Sequence, residues 1–334
     1  MEEDFAAAMR KTLRIADANG IPATQFELLT AGALALFRDA GLTWAVLEAG
    51  LGARHDATSV ARAEAVVLTN VALDHTEYLG DTVEKIAEEK LASLRPDAVL
   101  VLGTDDPRVV GIARGTVKKV GAGLVEYREQ EEYRQTASRV EVNTATPDSR
   151  LPTSWSEATY LARDEGLGMR TAEVLLGRPL RPDERDTIRP VRLPARFEVH
   201  EVRGVPVVVD GGHNPEGVRA ALEAVRGKYG DRPLGVVFGA LEDKDVGSML
   251  NAFEREARVL VLTRPASVDG RALDPKLVEE EHSPQDAGGR RGRVASDVVD
   301  ALRLAVGEME KVGGVVLVTG SLYTGAGVLG WLRG

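Results

Sequence analysis

Short apolar runs, mostly β-branched, punctuate this chain: Val66–Leu68, Ala98–Leu102, Val205–Val209, Leu234–Phe238, Val259–Leu262 and Val315–Val318. A run without an obligate polar position is buried on both faces. In the second half helical segments alternate with these runs, so the pattern reads as an α/β fold with mostly parallel sheets covered on both sides. Open sheets of this kind bind ligands at the carboxyl ends of their strands. Polar residues directly after an apolar run are therefore the first candidates for chemistry.

The stretch Val66–Lys90 shows the logic most fully. Asp74, His75 and Glu77 follow the strand, and Asp81-Thr82-Val83-Glu84 predicts a capping box that opens a helix running to about Leu94. Val83, Ile86, Ala87, Leu91 and Leu94 form its apolar stripe, and Lys90 falls on that stripe. Two readings of Lys90 stand open: a stem lying along apolar surface with its ammonium in water, or a buried amine with a depressed pKa.

Upstream, residues 2 to 19 and Gln25–Asp39 read as helices, and Thr43–Glu48 reads as a buried strand that delivers Glu48 to the same sheet edge as His75. Gly50 and Gly52 then permit a tight loop. Downstream, Asp105-Asp106-Pro107 opens a helix, residues 126 to 154 are weakly patterned, and a helix is expected over Ser156–Leu176. GRPLRPDERDTIRPVRLP carries four prolines and no apolar period, which sets a boundary between domains at 1–188 and 189–334.

In the second half, Asp210-Gly211-Gly212-His213-Asn214-Pro215 sits between a strand and a helix. Asp210 is placed to take a ribose hydroxyl, and the helix N-terminus favours an anion near His213 and Asn214. A structural glycine turn with an Asn-Pro cap is the alternative. Arg196, in LPARFE, is placed as a phosphate clamp or as a plain surface arginine, and Ser321 follows the last apolar run. Ser283 to Arg293 reads as a mobile loop. No nucleophile-elbow serine and no G-x-x-x-x-G-K-[ST] loop is present in the sequence.

A formal net charge of -10 over 334 residues argues against a nucleic-acid partner held by a general basic surface. The absence of cysteine removes disulfides and thiolate metal sites. No apolar run reaches membrane-spanning length and the acidic start is unlike a signal peptide, so the sequence reads as cytoplasmic and without a membrane partner.

TQFE (24–27), LEAGLGARHDAT (47–58), LTNVALDHTEYLGDTVEKIAEEK, LPARFE, DGGHNP and TGSLY, in this order, resemble the dihydrofolate synthase/folylpolyglutamate synthase family of the Mur-type amide ligases. The resemblance implies an N-terminal Mur-type ATPase domain, a C-terminal Rossmann-like domain, and a cleft closed by both. It implies an ATP-dependent acid–amino-acid ligase that joins L-glutamate to dihydropteroate or tetrahydrofolate through an acyl phosphate. By the match, Glu48 and His75 would hold Mg²⁺, and Lys90 would be carbamylated and help hold a second ion. Thr24, Gln25, Phe26, Glu27, His55 and Asp56 would line the pterin or folate pocket. Arg196 and Asp210 would hold ATP, with His213 and Ser321 near the incoming glutamate. A monomer is expected for the complete enzyme.

The family begins with a strand and a Gly-Lys-Gly-Ser phosphate loop that this sequence does not contain, so the first sheet is expected to be incomplete and the chain an N-terminally truncated ligase with impaired ATP chemistry. Residues 154–158 also depart from the family's adenine-contacting segment. Two further readings are a non-catalytic relative that binds folate or glutamate and a Mur-type ligase for another carboxylate.

Overall fold

The computed structural model describes residues 2–127, 158–188, 191–265, 270–289 and 292–334. Many helix starts follow local chemistry. Thr24 caps α2 (Gln25–Asp39) in a reciprocal box with Glu27, and aspartate or asparagine followed by proline opens α5 (Pro107–Val120), α8 (Pro215–Tyr229) and α10 (Pro275–His282). A side-chain oxygen at the cap satisfies an orphan N–H, and proline at the next position lacks the N–H that would have been orphaned.

The chain divides into two compact units, residues 1–145 with 167–179 and residues 146–166 with 180–334. In the first, α1 (Glu2–Ala18) crosses α2 at Gly32, where the Met9 sulfur lies 2.7 Å from the position a Cβ would take. Parallel strands β1 (Ala65–Leu68), β2 (Val99–Leu102) and β3 (Gly123–Glu126) form a sheet in the order β1-β2-β3. Between β1 and β2 come α3 (Thr76–Leu79) and α4 (Val83–Lys90). Ile86, Ala87 and Leu91 pack with Leu100, Leu102, Val109 and Ala113 as the core over one face. Helix α6 (Thr159–Leu176) is shared: its later part belongs to this unit and its first part to the other.

Two expectations for this unit are corrected. Residues 43–48 form no strand; Val46 is 98% exposed and Trp44 57%. A strand requires a hydrogen-bonded neighbour, and among the described residues β1 pairs only with β2, leaving its other edge open and Val67 42% exposed. The α4 cap is Thr82, whose Oγ1 accepts from the Lys85 N–H at 3.3 Å, while Asp81 is drawn away to the Lys85 ammonium at 2.8 Å.

The second unit follows the apolar runs closely. After α7 (Pro182–Asp186), strands β4 (Glu198–Val202), β5 (Val205–Val209), β6 (Leu234–Phe238), β7 (Ala257–Leu262), β8 (Arg293–Val294) and β9 (Val315–Thr319) form a six-stranded sheet ordered β4-β5-β9-β6-β7-β8. Only β4 runs antiparallel. Alternate strand residues serve two cores: Val208, Val236, Leu260 and Leu317 meet α8, α9 (Val246–Asn251) and α10, while Val207, Val237, Val261 and Val316 meet α11 (Val298–Glu310) and α12 (Leu322–Arg333). Of the stretch expected to be a mobile loop, the described residues are instead tied to the sheet, since Ala287 N–H donates to Ala257 C=O at 2.7 Å and β8 begins at Arg293; Arg290 and Arg291 lie outside the described residues.

The exposed 43–48 segment gives a direct test. Val46→Asp should shift the unfolding free energy by less than about 0.5 kcal/mol, whereas Leu100→Ala in β2 should cost about 2–5 kcal/mol. Urea denaturation followed by circular dichroism compares them, and a loss for V46D as large as for L100A would mean that the segment is buried.

Candidate functional site

In the first unit, Asp56 organises the loop from Gly50 to Thr58. Its Oδ2 accepts from the Gly50 and Leu51 N–H groups at 2.9 and 3.0 Å, and its Oδ1 accepts from the Thr58 N–H at 2.9 Å and from the Thr58 hydroxyl. With two donors on each oxygen, the buried carboxylate is saturated within its own loop. The Phe26 ring packs on this loop, with Cε1 and Cζ 2.9 Å from where a Gly50 Cβ would stand. Gly52 adopts φ +62° with Leu79 against it, a conformation and a space that require glycine.

Phe26 and Asp56 are thus brought together. Thr24 and Glu27 are spent on the α2 cap: Glu27 Oε2 accepts from the Thr24 N–H at 2.7 Å and from its hydroxyl at 2.8 Å, which holds the Glu27 carboxyl below its ordinary range. Gln25 and His55 are exposed.

Glu48 is exposed on the irregular segment, and Lys90 lies half-buried at the end of α4. His75 caps α3 in the left-handed region at φ 50°, with its N–H donating to Asp74 Oδ1 at 2.9 Å. Among the described residues no three His, Asp or Glu side chains lie together as a metal-binding group.

The second unit gathers its candidates where the strands end. Asp210 is 4% exposed after β5. Its Oδ1 accepts from the Gly212 N–H at 2.9 Å, and its Oδ2 accepts from the Phe197 N–H at 3.0 Å and from the Tyr160 hydroxyl on α6. One acceptor position on Oδ1 is left over. Arg196 sits between Ala195 and Phe197, both of positive φ, at 54° and 47°. That pair of non-glycine left-handed residues marks a turn strained by roughly 1–3 kcal/mol each, held by its surroundings. The turn is pinned by Gly211 N–H donating to Ala195 C=O at 2.8 Å, and Arg196 Nη1 lies 2.9 Å from the place of a Gly211 Cβ. The half-buried guanidinium donates to no acceptor among the described residues.

Gly212 C=O accepts from the Gly320 N–H at 2.8 Å and from the Thr319 hydroxyl at 3.2 Å, which ties the β5 loop to the β9 loop. His213 Nδ1 lies 3.1 Å from Gly211 C=O. Buried Ser321 caps α12 through the Tyr323 N–H at 3.1 Å, and Asn214 caps α8. Asp210, Arg196, His213 and Ser321 are therefore collected around two adjacent strand ends, each leading into a helix N-terminus that favours anions. Tyr160 was not singled out from sequence. The usable signal is a tyrosine in the first turn of a helix, since a buried hydroxyl needs a partner.

The chain matches the Mur ligase middle domain over residues 6–159 and the Mur ligase, glutamate ligase domain over residues 195–322. It is 35% identical to a probable bifunctional folylpolyglutamate synthase/dihydropteroate synthase of Haloferax volcanii, over 96% of this chain and 38% of that protein. It thus spans well under half the length of that relative. With the dihydrofolate synthase/folylpolyglutamate synthase of Mycobacterium tuberculosis it shares 28% identity over 98% of this chain and 70% of that protein. Among solved structures, Mycobacterium tuberculosis folylpolyglutamate synthase complexed with ADP and AMPPCP superposes with TM-score 0.82 and 26% identity, over 98% of this chain and 78% of that one. A bifunctional folylpolyglutamate synthase/dihydrofolate synthase with Mn, AMPPNP and L-glutamate bound gives TM-score 0.75 and 26% identity, over 100% of this chain and 77% of that one.

The saturation of Asp56 predicts a pH signature. Burial by itself would raise this carboxyl, but the bonds from Thr58, Leu51 and Gly50 together outweigh it and hold the carboxyl below the usual range. Its stabilising contribution is complete above the unfolded value of about 3.9 and is lost as pH falls through the lower folded value. Asp56→Asn should cost about 1–3 kcal/mol at pH 7, and the gap to the unsubstituted protein should shrink below about pH 4. A gap that stays constant between pH 7 and pH 3 would count against an ionised Asp56 as the loop's organiser.

Proposed function

This chain belongs to the Mur ligase family, carrying its middle and glutamate ligase domains, and from that premise we propose that it joins L-glutamate to the carboxylate of a dihydropteroate or tetrahydrofolate substrate at the expense of ATP. The observation that carries the reading is the cluster at the β5 and β9 ends, where a buried carboxylate with one open acceptor position, an arginine donating to no described acceptor and two helix N-termini lie together. A nucleotide and an acidic amino acid need that combination.

In the proposed reaction a substrate carboxylate oxygen bonds to the γ-phosphorus of ATP while the bond from that phosphorus to the bridging oxygen breaks and ADP leaves. The glutamate amine then attacks the acyl carbon, phosphate departs, and the ammonium proton is lost. Positioning and charge neutralisation supply most of the acceleration in such phosphoryl transfers. Asp210 Oδ1 would accept from a ribose hydroxyl, Arg196 would face phosphate, and His213 with the Ser321-capped start of α12 would receive a glutamate carboxylate. Phe26 would offer an aromatic face to the pterin on the loop that Asp56 shapes. Thr24, Gln25, Glu27 and His55 would border that pocket, Thr24 and Glu27 through the helix cap they build.

Mg²⁺ is proposed on Glu48 and His75, with carbamylated Lys90 assisting a second ion. The described side chains form no three-donor group, which fits only an ion held mainly by water and nucleotide phosphates, as is usual for Mg²⁺. Such an ion would neutralise developing phosphate charge. No described helix is long and apolar enough to cross a membrane, and the proposed partners are small molecules: folate, glutamate and ATP.

The test is ADP release by the natural protein, which should require both L-glutamate and a pteroate or folate. Folate binding without ADP release would favour a non-catalytic relative, and turnover with a different carboxylate in a substrate panel would redirect the assignment within the family. Lys90→Ala should lower turnover by more than about a hundredfold, a ~2.7 kcal/mol effect, while folate binding stays within about twofold and small carboxylates restore part of the rate. Unchanged turnover would sink the carbamate role.

A further inference from the structure

We propose that Tyr160 is a positioning residue for nucleotide recognition: its hydroxyl fixes the Asp210 carboxylate so that the one remaining acceptor position, on Oδ1, is presented to a ribose hydroxyl. The inference rests on the reading of Asp210 as the nucleotide's ribose ligand and goes beyond it by assigning a residue on α6 that touches neither ribose nor phosphate.

The carboxylate has two oxygens and about four acceptor positions. Phe197 N–H and Tyr160 O–H fill both positions of Oδ2, and Gly212 N–H fills one of Oδ1. The backbone donors come from the strained LPARFE turn and from the glycine turn, and both are fixed by their own hydrogen bonds, Gly211 N–H to Ala195 C=O and Gly320 N–H to Gly212 C=O. Tyr160 closes the set from a third direction, the first turn of a helix. Without it, Oδ2 of this buried carboxylate would have an empty position, and two backbone donors in place of three would set where the open position on Oδ1 points. An acceptor aimed before binding saves the ligand the cost of aiming it. Burial, with the charge of Asp210 adding to it, pushes the Tyr160 hydroxyl far above its ordinary range, so it keeps its proton and donates across the whole working pH range. Arg196 and Asp164 are the other charged groups facing Tyr160, and Arg196 also acts on Asp164, opposing the rise that burial imposes there.

The experiment is calorimetric titration of the full chain with ADP and with 2′,3′-dideoxy-ADP, for the unsubstituted protein, Tyr160→Phe, Asp210→Ala and the double variant. The unsubstituted protein should prefer ADP by at least about tenfold. Tyr160→Phe should bind ADP about tenfold more weakly, a ~1.4 kcal/mol loss, and most of its preference for the ribose hydroxyls should vanish. Adding Tyr160→Phe to Asp210→Ala should change nothing further, because Tyr160 acts only through that carboxylate. Calorimetry reports stoichiometry separately from affinity, so a partly unfolded variant lowers the first and leaves the ratio of affinities readable. If Asp210→Ala keeps the preference, or the unsubstituted chain fails to bind ADP, the nucleotide reading of Asp210 falls and the proposal with it. If Asp210→Ala abolishes the preference while Tyr160→Phe retains it, Asp210 stands and the role of Tyr160 is overturned: the tyrosine then merely fastens α6.

Discussion

Burial of β5, β6, β7 and β9 on both faces is the constraint from which the second unit follows. Most side chains along these strands are committed to one of two apolar cores, Val208 and Leu317 to one, Val207 and Val316 to the other. A polar group placed mid-strand would lose water without gaining partners. Chemistry is therefore displaced to the carboxyl ends of the strands, and with β5 paired to β9 the two loops that carry Asp210 and Ser321 are neighbours by construction.

Two buried aspartates then do the same physical work to different ends. A buried carboxylate must be hydrogen-bonded, and each of these recruits backbone N–H groups that a tight glycine loop would otherwise leave without partners. Asp56 takes donors from Gly50, Leu51 and both polar atoms of Thr58, and nothing remains for a ligand. Its effect on binding is the shape of the loop on which Phe26 rests. Asp210 takes donors from Gly212, Phe197 and Tyr160 and keeps one acceptor position. Counting donors separates a carboxylate that builds a pocket from one that reads its contents.

The first unit shows what an apolar run does without a neighbour. The composition of Thr43–Glu48 suits a strand, yet the segment lies irregular with Trp44 and Val46 in water. Strand propensity expresses packing and pairing, not an intrinsic backbone preference, and the edge of β1 that pairs with no described residue is the same fact seen from the sheet. Helices were more legible because their signals are local: Thr24 with Glu27, Asp106 with Pro107 and Asn214 with Pro215 each supply a cap within a few residues of the element they start. Even there a competitor one turn away moved a boundary, since Lys85 removed Asp81 from the α4 cap and left it to Thr82.

Apolar periodicity and capping are properties of neighbouring residues, and they make legible the α/β class, strands β5, β6, β7 and β9, helices α1, α2, α4, α5, α6 and α8, and the candidates Arg196, Asp210, His213 and Ser321, whereas β8 and α7 fall in stretches that read as a loop and a connection. Family membership was legible as well, from motifs that persist in order along the whole chain. Which of those side chains are already spent and which are open depends on the fold as a whole. Thr24 and Glu27 look like pocket residues and serve a helix end. Arg196 looks like a surface arginine and stands in a strained turn beside the Asp210 loop. Tyr160, 50 residues away in sequence, carries no motif at all and supplies a donor to the buried carboxylate. The physical reason is that a hydrogen bond's meaning depends on every other donor and acceptor within reach, and folding alone brings residues that far apart within reach of one another.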